Sequence, residues 1–101
     1  MRRRAKIDAN QPEIVRALRE NGCTVQSLAP MGHGCPDLLV GKDGRNFLLE
    51  IKDPNQKPSQ RRLTDDEKAW HCAWLGQIAV VETVEEALLL VVGWETAGRR
   101  I

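Results

Sequence analysis

Tyrosine is absent, phenylalanine occurs once, and serine is found only at Ser27 and Ser59. Tyrosine-nucleophile chemistry is thereby excluded, and serine chemistry has little to work with. There is no GxxxxGK[ST] loop and no complete GxGxxG, so neither P-loop nucleotide hydrolysis nor dinucleotide binding is expected. The longest uninterrupted apolar run, Ala87 to Val92, falls far short of the roughly 20 residues needed to cross a bilayer, and no membrane span is expected. The basic start Arg2-Arg3-Arg4-Ala5-Lys6 is followed by Ile7-Asp8-Ala9-Asn10 and not by an apolar stretch. That is not the pattern of a secretory signal, so the expected location is intracellular. Cys23, Cys35 and Cys72 cannot all pair within one chain and are expected to be free thiols.

What is present fits one domain. A chain of 101 residues can bury a core but is too short for two ordinary domains. With 42% hydrophobic and 29% charged residues it has the balance of a globular chain. The expectation is a single domain over 1–101, with 1–9 as a basic arm. The net charge of +1 conceals an uneven distribution: Arg2, Arg3, Arg4 and Lys6 at one end, Lys57, Arg61 and Arg62 in the middle, Arg99 and Arg100 at the other. Such separation suits a surface that binds a nucleic-acid backbone, because Lys and Arg neutralise phosphates independently of sequence; a merely solvated face is the blander alternative.

Periodicity and turn chemistry predict the elements. Ile14, Val15 and Leu18 recur at helical spacing over Gln11 to Asn21, with Pro12 in the first turn and Asn21-Gly22 as a stop. Thr24 to Leu28 reads as a short strand, and Pro30 to Pro36 as a loop. Asp37-Leu38-Leu39-Val40 and Asn46 to Lys52 are strand-like on either side of Asp43-Gly44, a strong hairpin signal. Asp53 to Gln60 reads as a polar loop. Thr64-Asp65-Asp66-Glu67 is a capping box opening a helix to about Leu75, before Gly76. Ile78 to Val81 reads as a buried strand, and Thr83-Val84-Glu85-Glu86 as a second capping box, starting a helix toward Gly93. The order α-β-β-β-α-β-α implies an α/β fold, a small mixed β-sheet flanked by helices.

The hairpin brings two acids together. With a two-residue turn at Asp43-Gly44, Lys42 faces Arg45 and, five steps on, Asp37 faces Glu50. Opposed Cβ atoms on an antiparallel pair lie roughly 4.5–5.5 Å apart, where like charges are destabilising unless compensated. A four-residue loop leaves this register unchanged, whereas a three-residue loop would put the carboxylates on opposite faces. Alternation then points Glu50 and Lys52 to one face and Phe47, Leu49 and Ile51 to the core. Two carboxylates and an ammonium in a small space suit Mg²⁺, which takes hard oxygen ligands and keeps several waters. Lys52 would orient a water or stabilise charge on a phosphate. The alternative is that Asp37 merely begins a strand and Glu50 and Lys52 form a solvated rim. An isolated E-x-K is common, but its spacing to Pro36-Asp37 across an Asp-Gly hairpin is not.

Pro36-Asp37 followed by Glu50-Ile51-Lys52 after a hairpin resembles the PD-(D/E)xK nuclease superfamily. More narrowly, the chain resembles the small stand-alone virus-type replication-repair nuclease (VRR-NUC) domain encoded by phages. The resemblance runs from the helix near Glu13 to about Val92 and includes Leu63-Thr64, Trp70 and Gly76. It implies a restriction-endonuclease-like core. It also implies Asp37 and Glu50 as metal-binding acids, the Ile51 carbonyl as a further ligand and Lys52 as the catalytic lysine. In related junction resolvases an acid of the first helix also approaches the metal, and here Glu13 is its candidate. Many members have a glutamine where this chain has Glu67, which leaves the role of Glu67 open. The implied activity is Mg²⁺- or Mn²⁺-dependent hydrolysis of phosphodiester bonds in DNA. Branched DNA such as Holliday junctions is the implied substrate, a homodimer the implied assembly, and the cytoplasm of a bacterial host the implied location if the gene is a phage's.

Other residues carry weaker expectations. Lys57, Gln60, Arg61 and Arg62 precede the second long helix and are candidates for phosphate contacts, as is His33 between Gly32 and Gly34. Trp70 and Trp74 share a helical face and are expected to pack in the core, with stacking on unpaired bases as the alternative. The spacings among His33, Cys35, His71, Cys72 and Cys23 do not match the pairs of structural zinc sites. A non-catalytic nucleic-acid-binding module on the same fold, and a small zinc-binding interaction domain, are the competing functional readings.

Overall fold

The computed structural model describes residues 7–93. The basic run Arg2 to Lys6 and the tail from Trp94, with Arg99 and Arg100, lie outside the described residues. The elements are α1 (Gln11–Glu20), β1 (Thr24–Ser27), β2 (Leu38–Lys42), β3 (Arg45–Ile51), α2 (Pro58–Arg61), α3 (Asp65–Ala73), β4 (Ile78–Val81) and α4 (Val84–Leu88). They form one four-stranded mixed sheet in the order β1-β2-β3-β4. β1, β2 and β3 are antiparallel neighbours, and β4 joins β3 in parallel. A parallel neighbour requires a crossover connection, and α2 and α3 lie within it.

Local chemistry explains most boundaries. α1 ends in a Schellman motif: Cys23 N donates to Leu18 O at 3.0 Å and Gly22 N to Arg19 O at 3.1 Å, with Gly22 at φ 87°. Asp43 (φ 50°) and Gly44 (φ 81°) both sit in the left-handed region, as a type I′ hairpin turn requires. Thr64 Oγ1 accepts Glu67 N while Thr64 N donates to Glu67 Oε1, so the capping box that opens α3 is complete. Thr83 Oγ1 accepts Glu86 N at 3.0 Å at the start of α4.

The core lies on one face of the sheet. Ile14 and Leu18 of α1, together with Ala87 and Val91 from the C-terminal segment, pack on Leu38, Val40, Phe47, Leu49, Ile51 and Val81. Several expectations need correction. The segment expected to be loop before Gln60 contains the one-turn helix α2, which Pro58 starts in its first turn. α3 stops at Ala73, short of Leu75, and α4 gives way to a π turn over Leu89–Gly93. Trp70 and Trp74 are not core residues: no α3 side chain is buried, and the two rings stack on each other, centroids 4.9 Å apart. The other face of β3 is not a solvated rim, since Leu48 is 5% exposed, Glu50 3% and Lys52 8%.

Candidate active site

The hairpin register is the one the Asp43-Gly44 turn demands, with Lys42 opposite Arg45 and Leu38 opposite Leu49. One step beyond Leu38, Asp37 lies beside Glu50. The main-chain carbonyl of Asp37 accepts Leu28 N at 2.8 Å, which ties it to the end of β1. Its carboxylate Oδ2 accepts Ile51 N at 2.6 Å. The side chain thus supplies β3 with the acceptor that a longer β2 would have supplied from its backbone.

The electrostatics of the pair are those of crowded carboxylates. Burial, together with the charges of Asp37 and Glu67, pushes the Glu50 carboxyl up to about 9. Burial also raises the Asp37 carboxyl, against the opposing pull of the Ile51 N–H and of Glu50. Glu50 Oε1 is buried without a hydrogen-bond partner. Lys52 Nζ lies 3.6 Å from Glu50 Oε2 and 2.9 Å from Glu67 Oε1. Burial alone would pull the Lys52 ammonium down, but the bond to Glu67 and the Glu50 charge outweigh it and raise it. For Glu67, burial is outweighed by the bonds from Lys52 and Thr64 N, which lower its carboxyl.

Two features hold α3 and the strand ends in place. Gly34, at φ 84°, presses against the first turn of α3: a Cβ there would meet Glu67 N at 2.9 Å and the Asp66 carbonyl more closely still. Asn10 stands at the N-cap of α1 but makes no side-chain cap bond. Its Nδ2 donates instead to Lys52 O at 3.0 Å and Glu82 O at 2.8 Å, joining the ends of β3 and β4 to the start of α1.

The sequence-predicted residues divide. Asp37, Glu50, Ile51 and Lys52 converge where β2 begins and β3 ends. Glu13 is exposed on α1, outside its buried stripe of Gln11, Ile14 and Leu18. The N-terminal acid whose charge reaches Asp37 and Lys52 is Asp8. Lys57, Gln60 and Arg62 are exposed around α2, and His33 is exposed on its loop. Arg61 is drawn aside into a 3.4 Å ion pair with Glu82. Asp8, Asn10 and the contacts of Glu67 escaped sequence reasoning. No expectation attached to Asn10, Glu67 was marked only by its capping box and by the resemblance, and long-range contacts such as theirs leave no local pattern.

The donor set suits a hard divalent cation held partly by water and substrate. Among the described residues no group of three or more His, Cys, Asp or Glu is arranged to hold a metal ion. Mg²⁺, however, is commonly held by one or two carboxylates with waters and substrate phosphates. The paired acids and the unpartnered Glu50 Oε1 offer such a set. A cavity of about 480 Å³ beside β4, lined by Ala79, Val80, Glu86, Leu89 and Leu90 among others, contains none of these residues.

The arrangement is a restriction-endonuclease-like α/β fold, a mixed four-stranded sheet flanked by helices. It is the fold of a VRR-NUC domain: a solved structure described as a VRR_NUC domain matches 86% of this chain and 99% of its own, with a TM-score of 0.55 and 24% sequence identity. No protein-family model matches the sequence, and no curated protein matches it. Among the described residues no helix is long and apolar enough to cross a membrane.

Proposed function

We propose that the protein is a metal-dependent DNA endonuclease with Asp37, Glu50 and Lys52 at its centre. The observation that supports this reading is the meeting of a buried carboxylate, Glu50, a half-buried one, Asp37, and the buried Lys52 ammonium at the open end of the hairpin in a VRR-NUC fold. Asp37, Glu50 and the Ile51 carbonyl would hold Mg²⁺ or Mn²⁺, with Glu13, exposed on α1, as a further candidate acid. When bound, the cation offsets the charge of the paired acids and polarises a phosphoryl oxygen. Lys52 presents a fixed positive charge to the scissile phosphate and orients the attacking water. Lys57, Gln60 and Arg62 contact the DNA backbone on the approach to the site, with His33 on the loop before Asp37.

The substrate class is branched DNA, Holliday junctions foremost. A two-fold pair of chains would present two such sites to the two strands of a junction. Exposed apolar side chains, Leu75 at 99% and Val80 at 41%, are available for such a contact. Replacing Asp37 or Glu50 by alanine should abolish cleavage with the fold retained by circular dichroism; full cleavage by both variants would refute the site. A non-catalytic binding module would instead bind DNA indifferently to Mg²⁺ at fixed ionic strength.

A further inference from the structure

Glu67 is read from sequence as a helix-cap residue, yet one of its oxygens does two things. Oε1 accepts Thr64 N at 2.9 Å, closing the capping box, and also accepts Lys52 Nζ at 2.9 Å from fifteen positions away. The cap sets where that oxygen lies whatever Lys52 does. Thr64 Oγ1 holds Glu67 N from one side, and Gly34 packs against the same peptide from the other. Lys52, by contrast, carries a compact charge on a flexible four-carbon stem and goes where its acceptors are. Its other acidic neighbour, Glu50 Oε2, lies further away at 3.6 Å.

From this shared oxygen we infer that Glu67 is a positioning residue: it transfers the rigidity of the α3 cap to the Lys52 ammonium and fixes that ammonium beside Glu50. The inference rests on the nuclease reading for its kinetic consequence but not for its geometric one. What the role needs is an oxygen at that place, so glutamine should serve where alanine does not.

The test pairs kinetics with a signal from Lys52 itself. In Glu67→Ala, kcat on a cleavable DNA should fall roughly 10²-fold, because a displacement of about 1 Å is enough for such a loss, while KM changes little. Glu67→Gln should restore most of the turnover. Thr83→Ala, which removes the equivalent cap bond from α4, is the control for lost helix capping and should leave kcat near the wild-type value. Independently of activity, the Lys52 NζH₃⁺ cross-peak in ¹⁵N NMR of the whole chain should be visible in wild type and Glu67→Gln and lost in Glu67→Ala. Wild-type turnover with an unchanged Lys52 signal in Glu67→Ala would overturn the inference, as would failure of Glu67→Gln to restore turnover. If the wild type cuts no DNA, the nuclease reading fails by itself, and the Lys52 signal alone decides the positioning role.

Discussion

Asp37 and Ile51 are joined by a 2.6 Å hydrogen bond from the Ile51 N–H to the Asp37 carboxylate, across the open end of the β2–β3 hairpin. An acid that continues a ladder is held rigidly, and this one is held against Glu50. The consequence is a pair of carboxylates that cannot both be charged without help, the condition a divalent cation relieves.

The pH dependence of stability should show this pair directly. A carboxyl whose pKa is raised by folding binds its proton more tightly in the folded chain. Its stabilising contribution is therefore complete below the unfolded value and lost as pH rises through the folded one. For Glu50 that window runs from 4.5 to about 9. In EDTA, Tm should fall as pH climbs across it, and Glu50→Gln should flatten the fall. Glu67, whose carboxyl is lowered, acts in the opposite sense: its contribution is present above 4.5 and lost as pH drops below that value. Mg²⁺ should raise the wild-type Tm more at the alkaline end, because cation and proton compete for Glu50. A wild-type profile identical to that of Glu50→Gln would contradict this.

Gly34→Ala should be costly. The substituent would meet the backbone of Asp66 and Glu67 at a positive φ, a combination expected to destabilise by about 1–3 kcal/mol. Urea denaturation measures it. Gly44→Ala shares the positive φ but meets no atom within 4 Å, so it should cost less.

Asn10→Ala removes two bonds, to Lys52 O and Glu82 O. At about 0.5–1.5 kcal/mol each, the loss should total about 1–3 kcal/mol. Asn10→Asp should do at least as much harm, since it sets a carboxylate against two carbonyls. An unchanged urea midpoint in both variants would show that the bridge does not matter.

Lys57 and Arg62 are exposed, whereas Arg61 is paired with Glu82. Lys57→Ala and Arg62→Ala should each weaken DNA binding across all sequences and lower the salt slope by about 1, the signature of one lost phosphate contact. Arg61→Ala should change the slope less. Equal slopes in all three variants and wild type would exclude this segment from the DNA surface.

Much of this was legible because the decisive signals are local. Asp43-Gly44 determines a turn, the turn determines a register, and the register brings Asp37 to Glu50; Thr64 and Thr83 stand immediately before their helices and accept the backbone N–H three residues on. What was not legible depends on contacts between distant segments. Asn10, at the N-cap of α1, bridges to residues 42 and 72 positions away, and no local pattern marks that role. Lys52 was expected beside the two acids, but its bond to Glu67 from the crossover connection has no local signal. The Trp70–Trp74 stripe has the period of a core face, but α3 buries no side chain, so periodicity there reports a stacked pair.

The most direct test of the central claim is cleavage of labelled four-way junction, flap, single-stranded and duplex DNA, each with Mg²⁺, Mn²⁺ or EDTA, by wild type and Lys52→Ala. Cutting should need the divalent cation, favour the junction and disappear in Lys52→Ala if the protein is a metal-dependent nuclease centred on Lys52. Junction bound but left uncut under every metal condition, or cutting that persists undiminished in EDTA or in Lys52→Ala, would contradict it.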